Sequence, residues 1–468
     1  MLPPEIRQKL ERADQMHLVR YWDDLDPPQK KSLLAQIEQI DFGLIASQLQ
    51  DTAGSHGHAT NWAELARRAE PPKAIRVGSP ANPVSDEQAR AAGERALRAG
   101  KVGFVLVAGG QGTRLGFPHP KGMFPLGPVS QRTLFQILFD LLRARSRRYG
   151  AVIPLYLMTS PATHDETVGF LDQHNRFGLA ADDLKIFCQG TMPAVDAETG
   201  KILLAEKHQI ATSPDGHGGL LEALRKSGCL DDIVDRGIEQ LFYGQVDNPL
   251  IQVCDPVLIG HHILSKSELT TQAVKKSYPL ERVGNVVSID GHIQIIEYSD
   301  LPDEVAKKTN PDGSAYLWAG NIAVHVFESS FLRRVINSPA ALPFHLAFKK
   351  VPFIDGAGNY VEPEKSNAIK FERFIFDLLP LAETEIVVES EKAEAFAPVK
   401  NAAGELTDTA EIAQHAMIAL HSQWLRSAGA EIHPGTAVEI SPFFAIDAEE
   451  LKNRIKPGHR IKTPTFFQ

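Results

Sequence analysis

VLVAGGQGTRLGFPHPKGMFPL, residues 105–126, starts as a strand and ends as a loop. Val105, Leu106 and Val107 form the aliphatic run of a buried strand, and Gly109, Gly110, Gly112 and Gly116 follow at once. Without a Cβ, glycines let the backbone approach a ligand closely and point its N–H groups inward, while Arg114 and Lys121 add positive charge. The stretch therefore reads as an anion-binding loop, with phosphate as the expected ligand. From Gly110 the spacing is G-x-G-x-x-x-G, one residue longer than the dinucleotide fingerprint, and no G-x-x-x-x-G-K-[ST] occurs here. Neither common nucleotide motif fits.

Outward from this loop, strands and helices alternate from about residue 85 to 389. That pattern predicts an α/β fold with a doubly wound, mixed but mainly parallel sheet of Rossmann-like type, covered on both faces. Expected boundaries are a helical N-terminal region and connector over 1–84, the central domain over 85–390, and a small C-terminal domain over 391–468. Leu10, Leu18, Trp22, Leu33 and Ile37 follow an approximate helical period, broken at Asp26-Pro27-Pro28. The stretch 51–84, with Gly54, Gly57, Pro71 and Pro80, reads as connector. Ser130 is the expected N-cap of a helix carrying Leu134, Ile137, Leu138 and Leu141 up to Gly150. Residues 184–188 read as a strand ending at Gln189-Gly190, and SPDGHGG, residues 213–219, is a second glycine loop opening a helix.

Residues 241–246 read as a strand finishing in Asp247-Asn248-Pro249. Ligands of open parallel sheets sit beyond the carboxyl ends of the strands, so Asp247 is placed for a metal bound to phosphates; a helix N-cap is the alternative. Residues 285–298 read as a hairpin with Asp290-Gly291 as its turn. Residues 316–327 are a strand interrupted at Ala319-Gly320-Asn321, 386–389 a last core strand, and 396–401 the head of a helical stretch to about Leu425.

Composition bounds the rest. A chain of 468 residues, 43% hydrophobic and 23% charged, is of ordinary globular type and long enough for two or three domains. The net charge of −9 argues against a nucleic-acid partner, so any phosphate must be held by local cations. No apolar run reaches membrane-spanning length, and MLPPEIRQKLERAD lacks the plan of a signal peptide, so a cytoplasmic protein without a membrane partner is expected. Cys188, Cys229 and Cys254 have neither metal spacing nor an even count. The pairs His56/His58 and His261/His262 lack metal partners and read as surface or core residues. Nothing in the sequence specifies an oligomer.

GGQGTRLG followed by PKGMF, then CQGTMPA, SPDGHGG, QVDNPL, IIEYSDL, WAGNIAVH, IKFERFIFD and PVKN stand in the order seen in eukaryotic-type UDP-N-acetylhexosamine pyrophosphorylases. The chain resembles that family of uridylyltransferases from HLVRYWDDL near its start to AEIHPGTAVEISPF near its end. The resemblance implies a nucleotidyltransferase core that joins UTP and a sugar 1-phosphate into a UDP-sugar and pyrophosphate, with Mg²⁺ as cofactor. A phosphate monoester is already an ionised nucleophile, so such a site has to align it and neutralise developing charge, which explains lysines in place of a Ser-His pair.

By resemblance, Val107, Ala108, Gly109 and Gly110 surround the uridine and phosphates, with Lys121 on the UTP phosphates as first catalytic choice. Gln189 reads the uracil edge, where an amide donates and accepts together, and Gly216 packs near it. Asp247 takes Mg²⁺ and UTP. Asn321 and Glu297 match sugar-contacting positions, and Lys370 and Lys400 match lysines reaching the phosphates. Arg114 supports the leaving pyrophosphate or forms a structural salt bridge. His217 departs from the family's usual Asn; its imidazole can still hydrogen-bond a sugar hydroxyl or phosphate, with titration near pH ~6.5 making binding pH-sensitive. The AGN and EYS segments favour N-acetylglucosamine as the sugar. The alternatives are a UDP-glucose, UDP-galactose or broad UDP-sugar pyrophosphorylase, and an inactive nucleotide-sugar sensor that kept the fold.

Overall fold

The computed structural model of the chain describes residues 1–53, 62–338 and 342–468; Gly54, His56, Gly57 and His58 lie outside them. By their contacts, residues gather into two compact units. One comprises Met1–Asn61, Gln189–Gly219 and Ala341–Asp377, the other Trp62–Cys188, Leu220–Ala340 and Leu378–Gln468. This division differs from boundaries at 84 and 390. The N-terminal helices Pro4–Arg12 and Pro27–Gln39 do not stand alone: Leu10, Leu18, Leu33 and Ile37 share a core with Val195, Ile202, Ile210, Ile369 and Phe371. The helix Pro27–Gln39 starts at the expected break, where Asp26 caps Gln29 N–H and the prolines occupy its first turn.

The larger unit is built on a mixed, mainly parallel sheet. Its strands are β1 (Ala74–Ile75), β2 (Val102–Val107), β3 (Leu155–Thr159), β4 (Leu184–Cys188), β5 (Gln240–Gln245), β6 (Leu269–Lys275), β7 (Asn285–Ile289), β8 (His292–Ile296), β9 (Ala319–Glu328) and β10 (Glu385–Ser390). They lie in the order β1-β10-β6-β9-β5-β2-β3-β4, with the β7–β8 hairpin attached to the start of β9. All neighbours along this path are parallel except β9, which runs antiparallel to both β5 and β6. The carboxyl ends of β2, β3, β4, β5 and β6 therefore share one edge with the start of β9. The hairpin turns at Asp290 and Gly291, both at positive φ, as a two-residue turn of this type requires.

Local chemistry explains the helices that cover the sheet. Ser85 and Gln88 form a capping box for the helix Asp86–Arg98. The helix Leu134–Tyr149 is capped by Thr133, whose side chain accepts from Gln136 N–H, and ends at Gly150 in the left-handed region. Ser130 is not its cap; its hydroxyl donates instead to Glu439 Oε1 at 2.6 Å. Helix Asp86–Arg98 crosses helix Pro256–Leu264 at two glycines: a Cβ on Gly93 would lie 2.0 Å from Pro256 O, and one on Gly260 1.7 Å from Ala89 O. The expected helix from 396 starts only at Ala410 and runs to Ser427, because 396–409 is fixed by other contacts described below. The expected interruption at Ala319 is the start of β9; the irregularity falls farther in, where the register shifts between Gln272 and Ala273 and Ala323 has positive φ. Among the described residues no helix is long and apolar enough to cross a membrane.

Candidate functional site

In the larger unit the glycine loop leaves β2 at the carboxyl edge and is tied back to its neighbours. Ala108 N–H donates to Met158 O at 2.8 Å, Val246 N–H to Val107 O at 3.0 Å, and the Ser160 hydroxyl to Gly109 O at 2.7 Å. The loop closes on itself through Gly112 N–H to His119 O at 2.9 Å and Lys121 N–H to Gly110 O at 3.0 Å. Gly112 is needed for that closure, since a Cβ there would lie 2.7 Å from Phe117 O, and Gly122 leaves room for the Phe135 ring, 2.3 Å from where its Cβ would be. Among the described residues the N–H groups of Gly109 and Gly110 take part in no hydrogen bond, which leaves them available to an anion.

Closure seats Lys121. Its stem passes over Gly110, with Cε 3.9 Å from the position of a Cβ there, and its Nζ lies 3.6 Å from Asp247 Oδ2. Both side chains are mostly buried. Asp247 follows β5 after Val246 and caps no helix; the next helix, Pro256–Leu264, takes Asp255 as its cap. Arg114 sits exposed on the turn Thr113–Leu115, and no described carboxylate forms a salt bridge with it.

The segment before Lys400 is docked onto the same strand end. Val399 N–H donates to Asp247 O at 2.8 Å, Ala397 N–H to Asn248 Oδ1 at 3.2 Å, and Asn248 Nδ2 to Ala395 O at 2.7 Å. These bonds, and Pro398, keep this stretch out of a helix. Beyond it, Asp408 holds positive φ while its carbonyl accepts from both Lys400 N–H at 2.7 Å and Asn401 N–H at 3.0 Å. Burial raises the Asp408 carboxyl pKa above its usual value, with the Lys400 ammonium opposing and the Asp247 charge adding to that rise. Lys400, Asp247 and Asp408 thus share one electrostatic neighbourhood. Among the described residues no group of three or more His, Cys, Asp or Glu is arranged to hold a metal unaided.

Glu297 and Asn321 also come together. A Cβ on Gly284 would lie 3.1 Å from Glu297 Oε1 and 3.5 Å from Asn321 Cβ, and Asn321 N–H donates to Gly284 O at 2.7 Å. The bare backbone at Gly284 lies between the two.

The smaller unit gathers Gln189, Gly216, His217 and Lys370. Lys370 lies on the strand Ala368–Glu372, and its neighbour Arg373 is clamped to the second glycine loop: Arg373 N–H donates to Asp215 O and Gly218 N–H to Arg373 O, both at 2.8 Å. These glycines are packed against protein backbone, since a Cβ on Gly216 would lie 2.3 Å from Arg373 O. His217 Nδ1 accepts from Ile375 N–H at 3.1 Å, and its ring stacks on Phe374 at 5.3 Å between centroids. An accepting Nδ1 puts the ring proton on Nε2.

Burial, with the nearby His345, pushes the His217 pKa down to about 4, so titration near pH 6.5 does not hold. A His pKa lowered on folding means that the unfolded chain takes up its proton first. Stability is accordingly full above about pH 6.5 and lost as pH falls toward 4. His217→Asn is expected to leave the pH profile of activity between 6 and 8 unchanged while reducing the acid-side loss of thermal stability. A profile that shifts within that range would overturn the assignment.

The sequence reading missed Gly284, Asp408, Asp215 and Arg373. Asp215 and Arg373 lie inside the quoted stretches SPDGHGG and IKFERFIFD, where other residues were singled out, and Asp408 precedes Thr409, the cap of helix Ala410–Ser427.

Residues 60–461 match the family described as UTP–glucose-1-phosphate uridylyltransferase. The chain is 36% identical to UDP-N-acetylhexosamine pyrophosphorylase-like protein 1 of Xenopus tropicalis over 453 residues, 95% of this chain and 88% of that protein. It is 33% identical to UDP-N-acetylglucosamine pyrophosphorylase of Saccharomyces cerevisiae over 459 residues, 96% of each. Its fold superposes on the crystal structure of the uridine diphosphate N-acetylglucosamine pyrophosphorylase of Trypanosoma brucei with a TM-score of 0.80, covering 97% of both chains at 24% identity.

Proposed function

Because the chain belongs to the UTP–glucose-1-phosphate uridylyltransferase family, we infer that it joins UTP and N-acetylglucosamine 1-phosphate into UDP-N-acetylglucosamine and pyrophosphate. The observation that carries the reading is the ammonium of Lys121 held 3.6 Å from Asp247 where the glycine loop leaves the sheet. In the reaction an oxygen of the sugar phosphate bonds to the α-phosphorus of UTP. The bond from that phosphorus to the bridging oxygen breaks, and pyrophosphate departs with the electron pair.

Lys121, Lys400 and Arg114 supply positive charge for the phosphates. The Gly109 and Gly110 N–H groups bind the same anionic oxygens, and Asp247 keeps the Lys121 ammonium oriented between turnovers. Gln189 and Gly216 hold the base, Lys370 a phosphate, and Glu297 and Asn321 the sugar. His217 presents its Nε2 proton as a donor to the sugar or its phosphate. A single carboxylate suits Mg²⁺, which takes one or two carboxylates and fills its shell with substrate phosphates and water, the triphosphate offsetting the repulsion from the Lys121 ammonium. Asp247 would hold the ion, and the ion would neutralise charge on the triphosphate. Its place of action is the cytoplasm.

Turnover with UTP and Mg²⁺ is expected to be at least about tenfold faster on N-acetylglucosamine 1-phosphate than on glucose 1-phosphate, since one missing polar group in a fitted pocket costs that much or more. Equal or better use of glucose 1-phosphate would favour the UDP-glucose reading, which the family's own description also raises. UTP binding without pyrophosphate release would point to a sensor.

A further inference from the structure

We propose that Asp215 and Arg373 are positioning residues that hold the base-reading Gln189 and the phosphate-reaching Lys370 in fixed register. The proposal rests on the functional reading of those two residues and assigns no substrate contact to the pair itself.

Three chain segments of the smaller unit meet at this pair. The short strand Thr191–Pro193, just after Gln189-Gly190, pairs antiparallel with Thr212–Pro214, and Asp215 N–H donates to Gly190 O at 3.2 Å. The third segment arrives from Lys370: Arg373 exchanges backbone hydrogen bonds with Asp215 and Gly218, and Arg373 Nη2 donates to Asp215 Oδ2 at 2.7 Å. Asp215 is only 3% exposed. Its carboxylate fits because two neighbours have no side chain: a Cβ on Gly190 would lie 3.0 Å from Oδ2, and one on Gly219 2.1 Å from Oδ1. The guanidinium lies 4.9 Å from the centre of the Phe344 ring.

The charge-assisted bond between guanidinium and buried carboxylate adds to the backbone bonds that Arg373 makes with Asp215 and Gly218, so the segments are held at several points. The pair touches Gly190 on one side and closes the strand of Lys370 on the other, so its loss loosens both. Among the described residues Asp215 Oδ1 and Arg373 Nε are buried with no hydrogen-bond partner, so the pair is not a saturated core network. A buried ion pair is by itself a weak source of stability.

The test compares Asp215→Asn, Arg373→Gln and the double variant with wild type, reading kcat and KM for UTP and the ratio of kcat/KM for UTP over CTP, which differ at the base edge. Each single variant is expected to raise KM for UTP and to lower the UTP over CTP ratio, each by roughly tenfold, with kcat within about threefold of wild type. The double variant is expected to be no worse than the worse single, because residues that act as one unit are not additive. Should a single variant fail to fold, the double decides, since it leaves no buried charge unpaired. Folded variants with unchanged KM and base selectivity, a loss confined to kcat, or additive losses would overturn the proposal while the functional reading stands. A wild type that does not turn over UTP would overturn both.

Discussion

Lys121→Ala is expected to lower kcat by roughly two orders of magnitude or more, the scale lost when a preorganised charge that stabilises a transition state is removed. The structure explains why no other cation replaces it. The lysine stem is held over Gly110 by closure of the loop, through Lys121 N–H to Gly110 O at 3.0 Å, and the ammonium is oriented by Asp247. Arg114 is exposed on the outer turn, and Lys400 is fixed by its own loop from Asp408. Alanine at 121 preserves the backbone bond, so UTP affinity is expected to change less than kcat. Pyrophosphate release at saturating UTP and sugar phosphate measures this, and a rate within a few-fold of wild type would remove Lys121 from the chemistry.

Gly260→Ala is expected to cost about 3 kcal/mol or more of stability, the upper range for forcing atoms into a packed site. Its new Cβ would lie 1.7 Å from Ala89 O and 2.3 Å from Ala89 C, both backbone atoms of a capped helix that cannot turn aside. The same change at Gly169 provides the contrast. Gly169 lies inside the helix His164–Gln173 with nothing within 4 Å of a Cβ, so alanine there is expected to add about 0.5–1 kcal/mol through helix propensity. Denaturant melts of both variants read the difference, and a Gly260→Ala protein as stable as wild type would show that the two helices separate freely.

How much of this was legible depends on the range of the interaction. The strand Leu184–Cys188 and the Asp290-Gly291 hairpin could be read because a few adjacent residues decide them. The helix Leu134–Tyr149 was legible in body but not in cap, because Ser130 answers to Glu439, about three hundred residues later in the chain. The start of helix Ala410–Ser427 was misplaced for a similar reason: Val399 is bonded to Asp247 before any helix can include it. Within the candidate site, motif order pointed to Lys121, Asp247 and Lys400. Asp215 and Arg373 lay inside quoted motifs without being singled out, because their roles, like that of Gly284, exist only once distant segments have met.

The antiparallel β9 carries a consequence for synthesis. Among the described strands it is the only link along the path between β6 and β5, so until β9 is made the ladder β2 to β5 has no link to β6, and β10, which joins β6 to β1, is made later still. A chain leaving the ribosome can complete the parallel ladder β2 to β5 by Gln245, yet the β5 edge stays unpaired until Ala319–Glu328 has emerged. For that interval the nascent protein exposes a bare strand of the kind that recruits other chains; β9 covers the β5 edge, and the far edge of β6 waits for β10 at Glu385–Ser390.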